Sequence, residues 1–270
     1  FLIFNYDTQG NGLGGFVGTA NVGVGDGPAA VVVGDFDKDG KVNDIAVTNQ
    51  TSGTVSVLKN NGNMTYTQVA GSPFNLTTGA TGYVPYGLDV GDFDGDGRPD
   101  LVVGNNGANT FIRVILNKAA GAAVQTPIAN STANNQNIVK AGDFDGDGKL
   151  DFISVARLSP GIVTFYKGDG AGGFTKGATT ATVGNMPEAA AVGDLNQDGI
   201  LDVVVPSLGS TNMHWMTGKG DGTFNAPVMI NTAVQSNDVA IADFNKDGRP
   251  DIAITGFNTG NVVIYRGSGN

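Results

Sequence analysis

The heptapeptide GDFDGDG stands at 91–97 and again at 142–148, setting three aspartates at alternate positions of a short stretch. Like charges at that spacing repel one another, and a cation held among them relieves the repulsion. Numbered from Asp92, the loop offers side-chain oxygens from positions 1, 3 and 5 (Asp92, Asp94, Asp96) and a main-chain carbonyl from position 7 (Arg98). Gly97 at position 6 permits a sharp turn, and Asp100 at position 9 closes the site. Six or seven hard oxygens suit Ca²⁺ rather than Mg²⁺.

Four more loops repeat the arrangement. One holds Asp143, Asp145, Asp147, the carbonyl of Lys149, and Asp151. The next holds Asp194, Asn196, Asp198, the carbonyl of Ile200, and Asp202. The last holds Asp243, Asn245, Asp247, the carbonyl of Arg249, and Asp251. Asn at position 3 keeps the carbonyl oxygen but drops one charge, so these last two sites are expected to bind more weakly. The first loop, Asp35, Asp37 and Asp39, carries one extra residue, so that either Asp44 or Asn43 closes it. Five Ca²⁺ are therefore expected. An EF-hand is rejected, because it needs Glu at position 12, where this chain has Ala46, Val103, Ser154, Val205 or Ile254.

These loops absorb 18 of the 24 aspartates of the 270-residue chain, and Glu188 is its one glutamate. Five Ca²⁺ would add +10 to a formal charge of −10, so the acidity reads mostly as metal sites. The same charge argues against nucleic acid or an anionic membrane as partner. With no cysteine, zinc-thiolate and iron–sulfur chemistry are excluded. No stretch approaches 18 apolar residues, so no membrane insertion is expected. FLIFNY at the start is too short for an export signal, and the reading is a soluble mature chain from which any such signal has been removed.

What positions the loops is a repeat. Their first aspartates, Asp35, Asp92, Asp143, Asp194 and Asp243, are 57, 51, 51 and 49 residues apart. Each loop is preceded by a short apolar run (AAVVV, GLDV, NIVKA, EAAAV, DVAI) and followed by another (DIAVT, DLVVG, DFISV, DVVVP, DIAIT). A third run follows in every unit (TVSVLK, FIRVIL, IVTFYK, MHWMT, NVVIYR), and a weaker fourth in some (YTQVA, FTKGA, FNAPV). Runs this short and β-branched read as strands. Four antiparallel strands at a period near fifty residues predict an all-β chain, a β-propeller of five four-stranded blades. Residues 1–270 are read as one propeller domain, with partial terminal strands in 1–24 and repeats starting near 28, 85, 136, 187 and 236. Residues 16–22 are expected beside 261–266 in a composite blade, with Phe1 to Tyr6 as an extra edge strand; the alternative is a piece of a longer protein. Gly34, Gly91, Gly142, Gly193 and Ala242, just before the loops, are expected where inner strands crowd a central axis.

The loops and stretches such as GDGTFNAPV at 220–228 make the chain resemble the FG-GAP, or VCBS, repeat propellers of integrin alpha-subunit heads and many secreted bacterial proteins. The resemblance covers nearly the whole chain. It implies structural calcium on the face away from the ligand surface, an extracellular or cell-surface location, and in most members seven blades, where this chain shows five loops.

Residues for catalysis are sparse. His214 is alone, beside Trp215, and outside the loops the aspartates are Asp7, Asp26, Asp89, Asp169, Asp221 and Asp238, with no repeated pairing for two-carboxylate glycoside chemistry. The chain is thus read as a non-enzyme. Recognition is expected on loops between second and third strands and between blades: 48–53, 78–86, 104–110, 156–161, 206–212 and 256–260, with Tyr83, Tyr86 and Phe257 as their aromatics. Amides, hydroxyls and a few rings suit sugar hydroxyls and protein surfaces alike. Three readings follow: a module recognising glycan or protein; a structural subunit of a surface assembly that self-associates through its N-terminal strand; and a polysaccharide-lyase-like enzyme.

Overall fold

The computed structural model describes residues 2–6, 16–62, 64–78, 82–107, 111–119, 121–124, 127–129 and 137–268. All regular elements among them are strands, and no helix is long and apolar enough to cross a membrane. An N-terminal hairpin pairs β1 (Leu2–Tyr6) with β2 (Phe16–Asn21). Blade 1 follows with β3 (Pro28–Gly34), β4 (Asp44–Asn49), β5 (Thr54–Gly62) and β6 (Thr65–Gln68), and β7 (Phe74–Asn75) also pairs with β5. Blade 2 has β8 (Pro85–Gly91), β9 (Asp100–Asn105), β10 (Phe111–Lys118), β11 (Gly121–Val124) and β12 (Ile128–Ala129). Blade 3 has β13 (Asn137–Gly142), β14 (Asp151–Ala156), β15 (Gly161–Gly168) and β16 (Phe174–Val183). Blade 4 has β17 (Ala191–Gly193), β18 (Asp202–Pro206), β19 (Asn212–Met216) and β20 (Val228–Asn231). Blade 5 has β21 (Val239–Ala242), β22 (Asp251–Gly256) and β23 (Asn261–Tyr265). All pairings are antiparallel, and apart from β7 on β5 and β12 on β10 they join consecutive strands, as the repeat predicts.

Burial shows how the blades stack. The second strands β4, β9, β14 and β18 are buried at every residue, because blades or linkers cover both of their faces. Apolar clusters join blade 1 to 2, 2 to 3, 3 to 4 and 4 to 5. Between blades 2 and 3, Phe152 stacks on Tyr166 at 4.5 Å and meets Phe174 at 4.9 Å. The outer face of blade 1 is covered by Val22 and Val24, just after β2, which pack on Ile45, Val47 and Leu58. Blade 5 instead leaves Val262 63% and Ile264 58% exposed.

Three expectations are corrected. Among the described residues β2 pairs with β1 and not with β23, so the expected composite blade is not seen there, and Leu2–Tyr6 is a strand of that hairpin. Of the segment FNAPV, Phe224 makes an isolated bridge to Gly218 and Val228 pairs with Trp215, so the fourth strand of blade 4 is interrupted and resumes at Val228, because Pro227 lacks an amide to donate. Crowding at the small residue before each loop is found at some of the positions and not at all of them. At Gly91 and Gly142 a Cβ would strike the side chains of Leu150 and Leu201 from the next blade, and at Gly34 the ring of Phe36, whereas Gly193 has room.

Candidate functional site: the acidic loops and the opposite face

Each first-to-second-strand turn carries one acidic loop, so all five lie at the same end of the blades. The carboxylates are held by the loop's own amides. The amide of position 5 donates to the side-chain oxygen of position 1 (Asp96 to Asp92, 3.1 Å) and to that of position 3 (Asp96 to Asp94, 3.2 Å). Position 6 donates to the second oxygen of position 1 (Gly97 to Asp92, 2.8 Å), and the same bond recurs at Gly40, Gly148, Gly199 and Gly248. The turn requires left-handed backbone at position 6, and also at position 4, where Lys38, Gln197 and Lys246 stand at φ 62°, 60° and 61°. Sequence reasoning anticipated the first requirement and not the second. Two position-4 side chains reach the neighbouring loop: Lys38 Nζ donates to the Asp96 carbonyl at 3.1 Å, and Gln197 Nε2 to the Gly248 carbonyl at 2.8 Å.

The closing aspartate differs from the other acids. Asp44, Asp100, Asp151, Asp202 and Asp251 are fully buried. Each clamps the loop to its own third strand: Asp100 accepts from the amides of Phe93 at 2.9 Å and Asn117 at 2.7 Å, and Asp151 from Phe144 at 3.1 Å and Gly168 at 2.8 Å. In blade 1 the clamp is Asp44, accepting from the amides of Asp37 and Asn60, so the extra residue is absorbed. Burial pushes the Asp100 carboxyl up to about 7 and that of Asp151 up to about 6, against the pull of those amides. A carboxylate oxygen keeps a second lone pair after accepting one amide.

The donor set fits a hard cation. Oxygens of Asp35, Asp37 and Asp39 lie within 4.8 Å of one another, as do those of Asp92, Asp94 and Asp96, and those of Asp143, Asp145 and Asp151. The chain's own cations are drawn to the same points. Lys59 pairs with Asp37, Lys118 with Asp94, Lys167 with Asp145 and, at 2.9 Å, with Asp147, and Arg266 with Asp247 at 3.0 Å. Hydrogen bonds to these acids raise Lys59, Lys118 and Lys167 above the ordinary lysine value. Blade 4 has Thr217 where its neighbours have Lys167 and Arg266. This basic residue, near the end of the third strand or just after it, stands in the sequence as a recurring Lys or Arg. Since it competes for the carboxylates, Lys167→Met is expected to tighten calcium binding at the blade 3 loop severalfold, measured by titration calorimetry against the parent chain. Equal affinity in the two would show that the lysine does not compete.

At the opposite end the inner strands surround a cavity of about 380 Å³, lined by residues of all five blades, including Ala30, Tyr86, Lys140, Glu188 and Asp238. Tyr86 Oη donates to Glu188 Oε2 at 3.3 Å, and Arg157 Nε donates to Glu188 Oε1. The one glutamate of the chain thus joins blades 2, 3 and 4 at the channel mouth, a role the sequence did not disclose. Of the expected surface aromatics, Phe257 is 56% exposed, but Tyr83 is buried, its hydroxyl donating to the Val103 carbonyl at 2.8 Å beneath the Arg113 guanidinium. Parts of the loops at 78–86 and 104–110 lie outside the described residues. His214 Nδ1 accepts the Gly184 amide at 3.1 Å, and burial holds its pKa below the ordinary histidine value, consistent with a packing role.

Repeated four-stranded blades, each with an acidic loop at the same end, define a β-propeller of about five blades. The FG-GAP-like repeat family matches residues 41–103, 92–154, 143–205 and 194–254, and the chain belongs to that family. Among curated proteins, none matches the chain. Among solved structures it is similar to the BP39L lectin from Burkholderia pseudomallei, with 18% identity and a TM-score of 0.67 over 94% of this chain and 72% of that one. It is similar to a protein from Lactobacillus plantarum, with 17% identity and a TM-score of 0.65 over 98% and 77%. It is also similar to an Agrocybe aegerita lectin that recognises non-reducing terminal N-acetylglucosamine, with 19% identity and a TM-score of 0.61 over 90% and 67%.

Proposed function

We propose that the chain is a calcium-stabilised β-propeller module, extracellular or at a cell surface, that binds glycan through the face opposite its acidic loops and does not catalyse. The observation that carries this reading is the cluster at the channel mouth, where Glu188 is held by Tyr86 and Arg157 over a cavity of about 380 Å³. A carboxylate and a guanidinium fixed by each other present acceptors and donors that match adjacent sugar hydroxyls, and the phenol ring adds an apolar edge. The likeness to two propellers named as lectins supports a sugar over a protein ligand. Five calcium ions, one per loop, would neutralise the acids, Asp35 to Asp251, that crowd the other face.

A glycan array carrying terminal N-acetylglucosamine and acidic sugars tests the proposal. Glu188→Gln is expected to weaken binding about tenfold or more, since a hydrogen bond to a charged group is worth about 1.5–3 kcal/mol, while leaving the calcium-dependent melt unchanged. An array with no hits, or full binding by the variant, would overturn the reading. A second reading, a subunit of a surface assembly, is favoured by one observation: β1 and β2 form a sheet of their own, apart from the five blades.

A further inference from the structure

The inner strands carry the channel residues at matching places. Counted back from the small residue before each acidic loop, Tyr86 and Glu188 both stand five places away, at the channel mouth, and Asp89 and Lys140 both stand two places away. Three residues of strand, at about 3.3 Å each, set the second level about 10 Å below the first. At that level blades 1, 4 and 5 carry Val32, Ala191 and Ala240, so Lys140 is its one cation. Its side chain lines the cavity, half-buried.

The carboxylates around it are already served by the chain. Glu188 takes Tyr86 and Arg157. Asp89 accepts the Val90 amide at 3.1 Å and, across the blade boundary, the Ala141 amide at 2.8 Å. Asp238, exposed, accepts the Val239 amide at 2.9 Å. Lys140 has no hydrogen-bond or ion-pair partner among the described residues. An ammonium carries three donors and no acceptor, and drawing it out of bulk water costs free energy unless an anion meets it. In a chain with 25 acidic residues and 15 basic ones, this cation is left without an acid, and the cavity around it lacks an anion.

We infer that the glycan taken by the channel mouth is an acidic one, whose carboxylate or sulfate group passes below Glu188 and Arg157 and is held by the Lys140 ammonium. The inference rests on the glycan reading of the same site and divides the work within it. Tyr86, Arg157 and Glu188 meet ring hydroxyls, which neutral and acidic sugars share. Lys140 selects between the two, because its attraction for an anion is stronger in a cavity that water only partly fills. Its four-carbon stem lets the charge follow the sugar over a range of depths. Arg157 offsets the Glu188 charge that an incoming anion passes.

Titration calorimetry with matched pairs of probes tests this: short galacturonic and glucuronic acid oligosaccharides, sialyllactose and sulfated galactose oligosaccharides, each against its carboxyl-reduced, desialylated or unsulfated counterpart. The unmodified chain should bind the acidic member of at least one pair about tenfold or more tightly than the neutral one, the factor that a hydrogen bond to a charged group supplies. That ratio should fall to about one in Lys140→Met and survive in Lys140→Arg, whereas Glu188→Gln should weaken both members of the pair and leave the ratio standing. Equal affinities for both members in the unmodified chain, a measurement that needs no variant, would overturn the acidic class and leave the glycan reading intact. A ratio that persists in Lys140→Met would overturn the assignment of the anion to this lysine. No binding to any member of any pair would overturn the glycan reading and this inference with it.

Discussion

Chelation of calcium is expected to lower the melting temperature by about 5–10 °C for each loop that had been saturated a hundredfold over its dissociation constant, because such saturation adds about 2.7 kcal/mol and a chain of this size shifts about 2–4 °C per kcal/mol. Extracellular modules bind calcium at roughly 0.1–1 mM, so about 10 mM calcium reaches that regime for the tighter loops. The cause is the convergence of Asp92, Asp94 and Asp96, and of the acids of the first and third loops, on one point with few basic side chains to offset them. Differential scanning calorimetry with calcium, with EDTA and with calcium restored measures it, and an unchanged melt after verified removal would sink the metal assignment.

The larger single-residue effect is expected at the closing aspartate and not at the loop acids. Asp151→Ala leaves the buried amides of Phe144 and Gly168 without their acceptor, at about 1–3 kcal/mol each, whether or not calcium is present. Asp145→Ala removes a ligand of the cation together with an acceptor for the Asp147 amide and the Lys167 ammonium, exposed groups that water can serve, so most of its cost should vanish in EDTA. Four melts, each variant with and without calcium, separate the two roles. If Asp151→Ala were as stable as the parent in EDTA, the clamp would be no more than a ligand.

The loops were legible in the sequence because their chemistry is local: alternate acids, a glycine for left-handed backbone and a fixed ninth position survive in any context. The blades were legible because short β-branched runs recur at one period. What the sequence concealed depends on partners far along the chain. Glu188 meets Tyr86 across 102 residues, and that contact exists only once the inner strands are arranged around the channel. The burial of Tyr83 follows from its bond to Val103, whereas its neighbour Tyr86 turns to the channel, and nothing in the run YVPY distinguishes the two. The pairing of β2 likewise escaped, since its Gly-Gly-Phe start fits either of two third strands, β1 or β23.

The side chains that reach from one acidic loop to the next also bear on how the ions would load. Lys38 ties the first loop to the second and Gln197 the fourth to the fifth, while the corresponding residues of the second and third loops, Gly95 and Gly146, have nothing to extend. An ion that draws one loop taut is felt through the tie by its neighbour, and reciprocally, so occupancy is coupled within each tied pair. Calcium uptake should then proceed as two cooperative couples with a solitary site between them, and replacing Gln197 with glycine would leave the last two loops to fill independently.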